Sequence, residues 1–180
     1  NKKNHLSLNF KNNKINFNCD LIFTGINNGT GGRIKIAYDK LKLDEDILMT
    51  YGDGVASIDI KALIDHHRHE GRLATVTAVR PPGRFGALEI ETNRVDRFTE
   101  KPQGDGVFIN GGFFILSPEV LDLVEGDDTV WEREPMEKLA EIGQLTAFRH
   151  TGFWQPMDTQ RDHRELEKLW ASGQAGWKIW

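Results

Sequence analysis

The chain has 180 residues, 38% of them hydrophobic and 28% charged, with a formal net charge of −4. That length supports one domain with a proper core, and scattered Lys and Arg under a mildly acidic balance argue against a general nucleic-acid binder. No apolar run approaches the ~20 residues of a membrane span, and the one cysteine, Cys19, has no partner for an internal disulfide, so neither nucleic acid nor membrane is expected as a partner and a reducing, cytoplasmic setting is expected.

Leu6, Leu8 and Phe10 alternate with polar residues, as do Ile15 and Phe17 beyond Lys11-Asn12-Asn13-Lys14. The pattern predicts a two-stranded hairpin over 1–18 with one apolar face, which is marginal alone and must pack on something. Asp20–Thr24 reads as a short strand. It leads into Gly25-Ile26-Asn27-Asn28-Gly29-Thr30-Gly31-Gly32-Arg33, a loop whose backbone donors are free to face an anion. The loop lacks the spacing of either common phosphate-loop motif, and a plain surface loop fits equally well. Ile34, Ala37, Tyr38 and Leu41 then mark a short amphipathic helix.

Ile47-Leu48-Met49-Thr50 runs into Tyr51-Gly52-Asp53-Gly54-Val55, the pattern of a strand that delivers a carboxylate to the edge of a sheet. Asp-Gly is also a strong hairpin-turn signal. Against a hairpin, Ile60, Leu63, Ile64 and His67 follow at helical spacing, which makes half of a βαβ unit. Gly71 stops that helix, and Leu73–Val79 is a strand with little alternation, suited to burial on both faces. Pro81–Gly86 is a loop at that strand's carboxyl end. Leu88 and Ile90 belong to the next strand, and Val95 and Phe98 to its partner across Thr92-Asn93.

Thr99-Glu100-Lys101-Pro102 places an acid and a base side by side, ordinary for a surface. In Phe108–Leu116, Asn110-Gly111-Gly112 interrupts a strongly apolar run; close approach of a ligand or another backbone would explain it, and a bulge would explain the glycines alone. Ser117-Pro118 opens a helix through Leu121 and Val124. Another runs from about Pro135 to Ile142, stopped by Gly143, and Leu145–Phe148 is the last strand. After Gly152–Thr159 a final helix passes through His163, Leu166 and Leu169, with Asp158 or Thr159 as its cap. The Trp-rich tail exposes aromatics unless it docks or a partner covers it. His66, His67 and His69 lack zinc-site spacing and read as a helix face, and no Gly-x-Ser-x-Gly nucleophile motif occurs.

Five segments occur here in one order: Tyr51-Gly52-Asp53-Gly54-Val55, Pro81–Leu88, Glu100-Lys101-Pro102, Ile109–Phe114 and Trp154–Thr159. Together they resemble the glucose-1-phosphate cytidylyltransferases of the sugar-nucleotide pyrophosphorylase (nucleotidyltransferase) family. The resemblance implies an α/β, Rossmann-like (GT-A-like) mixed sheet flanked by helices with an added β-hairpin, in a single domain: hairpin 1–18, core 20–158, C-terminal helix and tail 159–180. It also implies condensation of α-D-glucose 1-phosphate with CTP to give CDP-glucose and pyrophosphate, with Mg²⁺ held by Asp53 and Asp158. Carried over by motif, Lys101 contacts the sugar phosphate; Glu100, Asn110 and Gly86 line the glucose pocket; Thr30, Arg33 and Gly52 lie on the nucleotide side. The chemistry agrees, since Mg²⁺ takes one or two carboxylates with phosphate oxygens and water, and the attacking phosphate needs no general base.

The family's opening signature, Gly-Gly-x-Gly-Thr-Arg-Leu, does not occur here, and the chain is expected to be the C-terminal portion of a longer enzyme, or a truncated one. A related uridylyl- or thymidylyltransferase and a non-catalytic sugar-phosphate-binding module are the alternatives. A homo-oligomer, with a hexamer as the expectation, and a place in surface-polysaccharide (O-antigen) synthesis are further implications of the resemblance.

Overall fold

The computed structural model describes residues 5–11, 16–81, 87–92, 94–99 and 107–179. In chain order the elements are β1 (His5–Lys11), β2 (Asn16–Ile22), α1 (Thr30–Leu41), β3 (Ile47–Thr50), β4 (Gly54–Ala56), α2 (Ile60–Glu70), β5 (Ala74–Val79), β6 (Ala87–Glu91), β7 (Arg94–Thr99), β8 (Ile109–Leu116), a 3₁₀ helix (Pro118–Leu123), α3 (Glu134–Glu141), β9 (Leu145–His150), β10 (Trp154–Pro156) and α4 (Gln160–Ala171). They fall into two units: Asn1–Glu45 with Ser117–Ile142, and Asp46–Leu116 with Gly143–Trp180.

The second unit is α/β, built on a mixed sheet of order β3-β8-β5-β9. β8 runs antiparallel to both β3 and β5, while β5 and β9 are parallel. All six residues of β5 are buried, as the absence of alternation in its sequence requires of a strand covered on both faces. α2 is bounded by its sequence. The Asp59 carboxylate accepts from Ala62 N at 2.9 Å, and Gly71 closes the helix in the left-handed region at φ 57°, a conformation that costs a residue with a Cβ more. Leu63 packs in a core with Ile58 and Ile115 against Ala56, Ile64, Phe113 and Phe148; full burial of such a leucine contributes about 1.5–3 kcal/mol. α4 begins at a capping box in which Thr159 and Asp162 satisfy each other's backbone N–H. The tail docks, with the Trp177 ring 5.4 Å from Phe153 and stacked on Trp170 at 6.3 Å. β6 and β7 form a separate antiparallel pair.

In the first unit β1 and β2 pair antiparallel from His5↔Ile22 to Lys11↔Asn16. The sequence suggested a hairpin ending at residue 18 and a new strand from Asp20; β2 instead runs through both. The polar Asn18 and Asp20 occupy its alternate positions, opposite Asn9 and Ser7, so they continue the period of two rather than ending a strand. Leu6, Phe17 and Leu21 remain about half exposed. The segment opened by Ser117-Pro118 is a six-residue 3₁₀ helix rather than a longer α-helix. Val120, Leu121, Val124, Trp131 and Leu139 are buried.

Candidate active site

β4 does not fold back on β3. It pairs antiparallel with β10, Ala56 opposite Trp154 and Gly54 opposite Pro156, so Asp53-Gly54 is not a hairpin turn between β3 and β4. The short ladder is extended at both ends: Ser57 N donates to Phe153 O (2.9 Å), Phe153 N to Ser57 Oγ (2.9 Å), and Met157 N to Asp53 O (2.7 Å). The last bond sets Asp53 beside the residue that precedes Asp158. Both aspartates are exposed. Capping does not explain Asp158, because the cap of α4 is Thr159.

Asn110 enters the same neighbourhood from the amino end of β8. Its amide oxygen accepts from Gly112 N at 2.8 Å and its amide nitrogen donates to the Tyr51 hydroxyl at 3.2 Å. Tyr51 is anchored in turn by its N–H to Gly112 O at 3.0 Å. The two glycines are explained by a bulge. Val76 pairs with Phe114 but Ala78 with Asn110, so three residues of β8 oppose one of β5. Gly112 sits at φ +77°, and a Cβ there would lie 2.7 Å from the Tyr51 ring; a Cβ on Gly111 would meet Val79 Cγ1 at 2.7 Å. The bulge also turns out the Gly111 carbonyl, which accepts from Trp154 Nε1 at 2.8 Å. The sequence carried Tyr51 and Trp154 inside its motifs without a role; a phenol and an indole N–H beside glycines were the available signal.

An amide has two N–H donors and two acceptor lone pairs. Among the described residues Asn110 has used one of each, leaving a donor and an acceptor, the complement of a sugar hydroxyl.

Gly52 and Gly54 flank Asp53, and a Cβ on either would meet nothing within 4 Å. Neither has a positive φ. Neither packing nor backbone conformation calls for glycine at these positions, whereas a ligand close to the backbone would. Open space beside two exposed carboxylates fits a hard divalent cation that completes its shell with phosphate oxygens and water. Among the described residues no group of three or more His, Cys, Asp or Glu side chains is placed to enclose a metal by itself. The histidines of α2 have other employment. His67 is buried, with Nδ1 2.7 Å from Thr75 Oγ1 and Nε2 3.5 Å from Asp46; burial pushes its pKa down, and the Asp46 charge partly opposes the shift. The His66 ring meets Phe148 edge-on at 5.5 Å.

Thr30 and Arg33 lie in the first unit, both committed there. Thr30 Oγ1 donates to Glu132 at 2.6 Å and accepts from Trp131 N at 2.8 Å. The Arg33 guanidinium donates to Asn28 O, Thr24 Oγ1, Gly25 O and Ile26 O at 2.9–3.0 Å. Three backbone donors of the 25–33 loop are taken within the first unit: Gly29 N bonds Asp127 O, and Gly31 N and Gly32 N bond Thr129 O. Gly86, Glu100 and Lys101 lie outside the described residues.

Residues 2–154 match the sequence profile of the family described as nucleotidyl transferase. The chain is similar to the glucose-1-phosphate cytidylyltransferases of Salmonella typhi and Salmonella typhimurium, 56% identical to each over 91% of its own length. It spans 64% of the length of those relatives. Among solved structures it is similar to HddC from Yersinia pseudotuberculosis, with a TM-score of 0.60, 26% identity, and coverage of 83% of this chain and 66% of that one.

Proposed function

The chain belongs to the nucleotidyl transferase family, and from that premise we propose that it carries the sugar-phosphate and metal half of a glucose-1-phosphate cytidylyltransferase. The reaction moves CMP from CTP to α-D-glucose 1-phosphate. A sugar-phosphate oxygen forms a bond to the α-phosphorus of CTP, the bond from that phosphorus to the β-phosphate oxygen breaks, and pyrophosphate leaves with the electron pair. The observation that carries the reading is the β4–β10 ladder, which sets Asp53 next to Met157-Asp158 in a chain so similar to named cytidylyltransferases.

Asp53 and Asp158 are the residues that would hold Mg²⁺. When bound, the ion supplies charge stabilisation for the two anionic substrates. Asn110, fixed by Tyr51 and Gly112, offers its remaining donor and acceptor to a glucose hydroxyl, beside Gly86 and Glu100. Lys101 offsets the charge of the sugar phosphate. Gly52 admits the nucleotide close to the backbone. The attacking phosphate is already ionised at neutral pH, so no side chain has to remove a proton.

No described helix is long and apolar enough to cross a membrane; a cytoplasmic setting belongs to the same proposed reading. The half-exposed Leu6, Phe17 and Leu21 favour a homo-oligomer, with a hexamer as the expectation, and CDP-glucose would feed surface-polysaccharide (O-antigen) synthesis. The test is pyrophosphate release with glucose 1-phosphate, Mg²⁺ and CTP, UTP or dTTP in turn. Release with CTP well above the other two is expected. Equal release with UTP or dTTP would replace the cytidylyl reading by the broader one, and no release with any nucleotide would favour a sugar-phosphate-binding module.

A further inference from the structure

Arg80 follows β5 and Arg149 lies in β9, with their guanidinium carbons 5.0 Å and 5.5 Å from the centroid of one ring, that of Phe108. The register explains the meeting. Val79 pairs with Ile109, so Arg80 continues that ladder beside Phe108, and Ala78 pairs with Arg149 on the other flank. Two like charges are thereby held no farther apart than the sum of those distances. Among the described residues neither arginine has a carboxylate within ion-pairing distance. Both are exposed.

Attraction to the Phe108 ring orients both guanidinium groups about one side chain, and two exposed like charges held so near attract an anion. A phosphate dianion suits them because each planar N–H fork matches two phosphate oxygens. The location is apt, since β5 and β9 are parallel and ligands of α/β sheets gather beyond the carboxyl ends of such strands. Phe108 is also two residues before Asn110 on β8. We propose that Arg80, Phe108 and Arg149 form an accessory site for a phosphate dianion, distinct from the Asp53–Asp158 pair and independent of the cytidylyltransferase reading.

The test is calorimetric titration of the chain with inorganic phosphate, in EDTA and without nucleotide, so that no metal site contributes. Saturable binding at millimolar phosphate is expected, weakened at least tenfold in Arg80→Gln and in Arg149→Gln, with Arg80→Lys restoring only part of it. Circular dichroism of these surface variants verifies folding. Glucose 1-phosphate in place of phosphate separates the sources: equal affinity marks a site for the bare phosphoryl group, and tighter binding that still needs both arginines marks the sugar phosphate as its ligand. Absence of phosphate binding by the wild type would overturn the proposal. So would wild-type affinity in both glutamine variants, or loss of binding only in Lys101→Ala, which would assign the phosphate to the reaction site.

Discussion

Two glycine-punctuated segments, Gly25–Arg33 and Tyr51–Val55, look alike in the sequence, each a strand running into a glycine-rich loop, the first with backbone donors for an anion and the second with the Asp53 carboxylate. In the structure they differ in what their glycines do. A Cβ on Gly29 would lie 2.2 Å from Thr129 O and one on Gly32 2.1 Å from Asp127 O, whereas around Gly52 and Gly54 there is open space. The first loop spends its donors on residues 127–129 and its arginine on its own carbonyls; the second leaves a carboxylate exposed. A glycine filled by its own protein reports packing. One with room around it and no positive φ leaves close approach of a ligand as a reason for glycine.

The largest effect that would sharpen this contrast is on catalysis. If Asp53 holds the metal as proposed, Asp53→Asn should cut turnover about a hundredfold or more, the several kcal/mol that a bound metal contributes to charge stabilisation, with melting unchanged because the side chain is exposed. Near-normal turnover would break the assignment. Gly32→Ala should destabilise by about 1–3 kcal/mol through overpacking against a backbone carbonyl, read by denaturant melts, while Gly52→Ala should leave stability level or raise it by about 0.4–1 kcal/mol and raise KM for the nucleotide. If both substitutions destabilise equally, the two loops are the same kind of segment. Thr30→Val removes an acceptor of Trp131 N and a donor to Glu132, an expected loss of about 1–3 kcal/mol that chemical denaturation would measure.

The smallest effect concerns pH. The folded-state pKa of His67 lies below its ordinary 6.5, chiefly from burial, so the unfolded chain binds the extra proton first. Stability contributed by neutral His67 is therefore present above about 6.5 and declines as pH falls below it, toward the lowered folded value. Melting temperature followed from pH 7.5 to 5 should fall, and the slope should flatten in His67→Gln. A slope unchanged in that variant would contradict the role given to burial.

Local signals carried much of the fold. The unalternating β5 and the Gly71 end of α2 were legible because each is decided within one turn or strand, and the cap of α4 was narrowed to Asp158 or Thr159. The order of short motifs also pointed to Asp53, Asn110 and Asp158. What escaped was non-local. The partner of β4 is β10, about a hundred residues onward, and nothing in Gly54–Ala56 names it. The bulge at 111–113, one of the two explanations the glycines allowed, is decided only by pairing with β5. The 25–33 loop looked free because the carbonyls that fill it, at 127 and 129, lie far along the chain.

In the proposed reading the β4–β10 ladder brings Asp53 and Asp158 together as a cation site. Electron paramagnetic resonance titration with Mn²⁺, without nucleotide, tests this apart from turnover. The wild type should take up a single Mn²⁺ that is lost in both Asp53→Asn and Asp158→Asn while Asp162→Asn, in the α4 capping box, keeps it. Unchanged Mn²⁺ binding in the first two variants would contradict it.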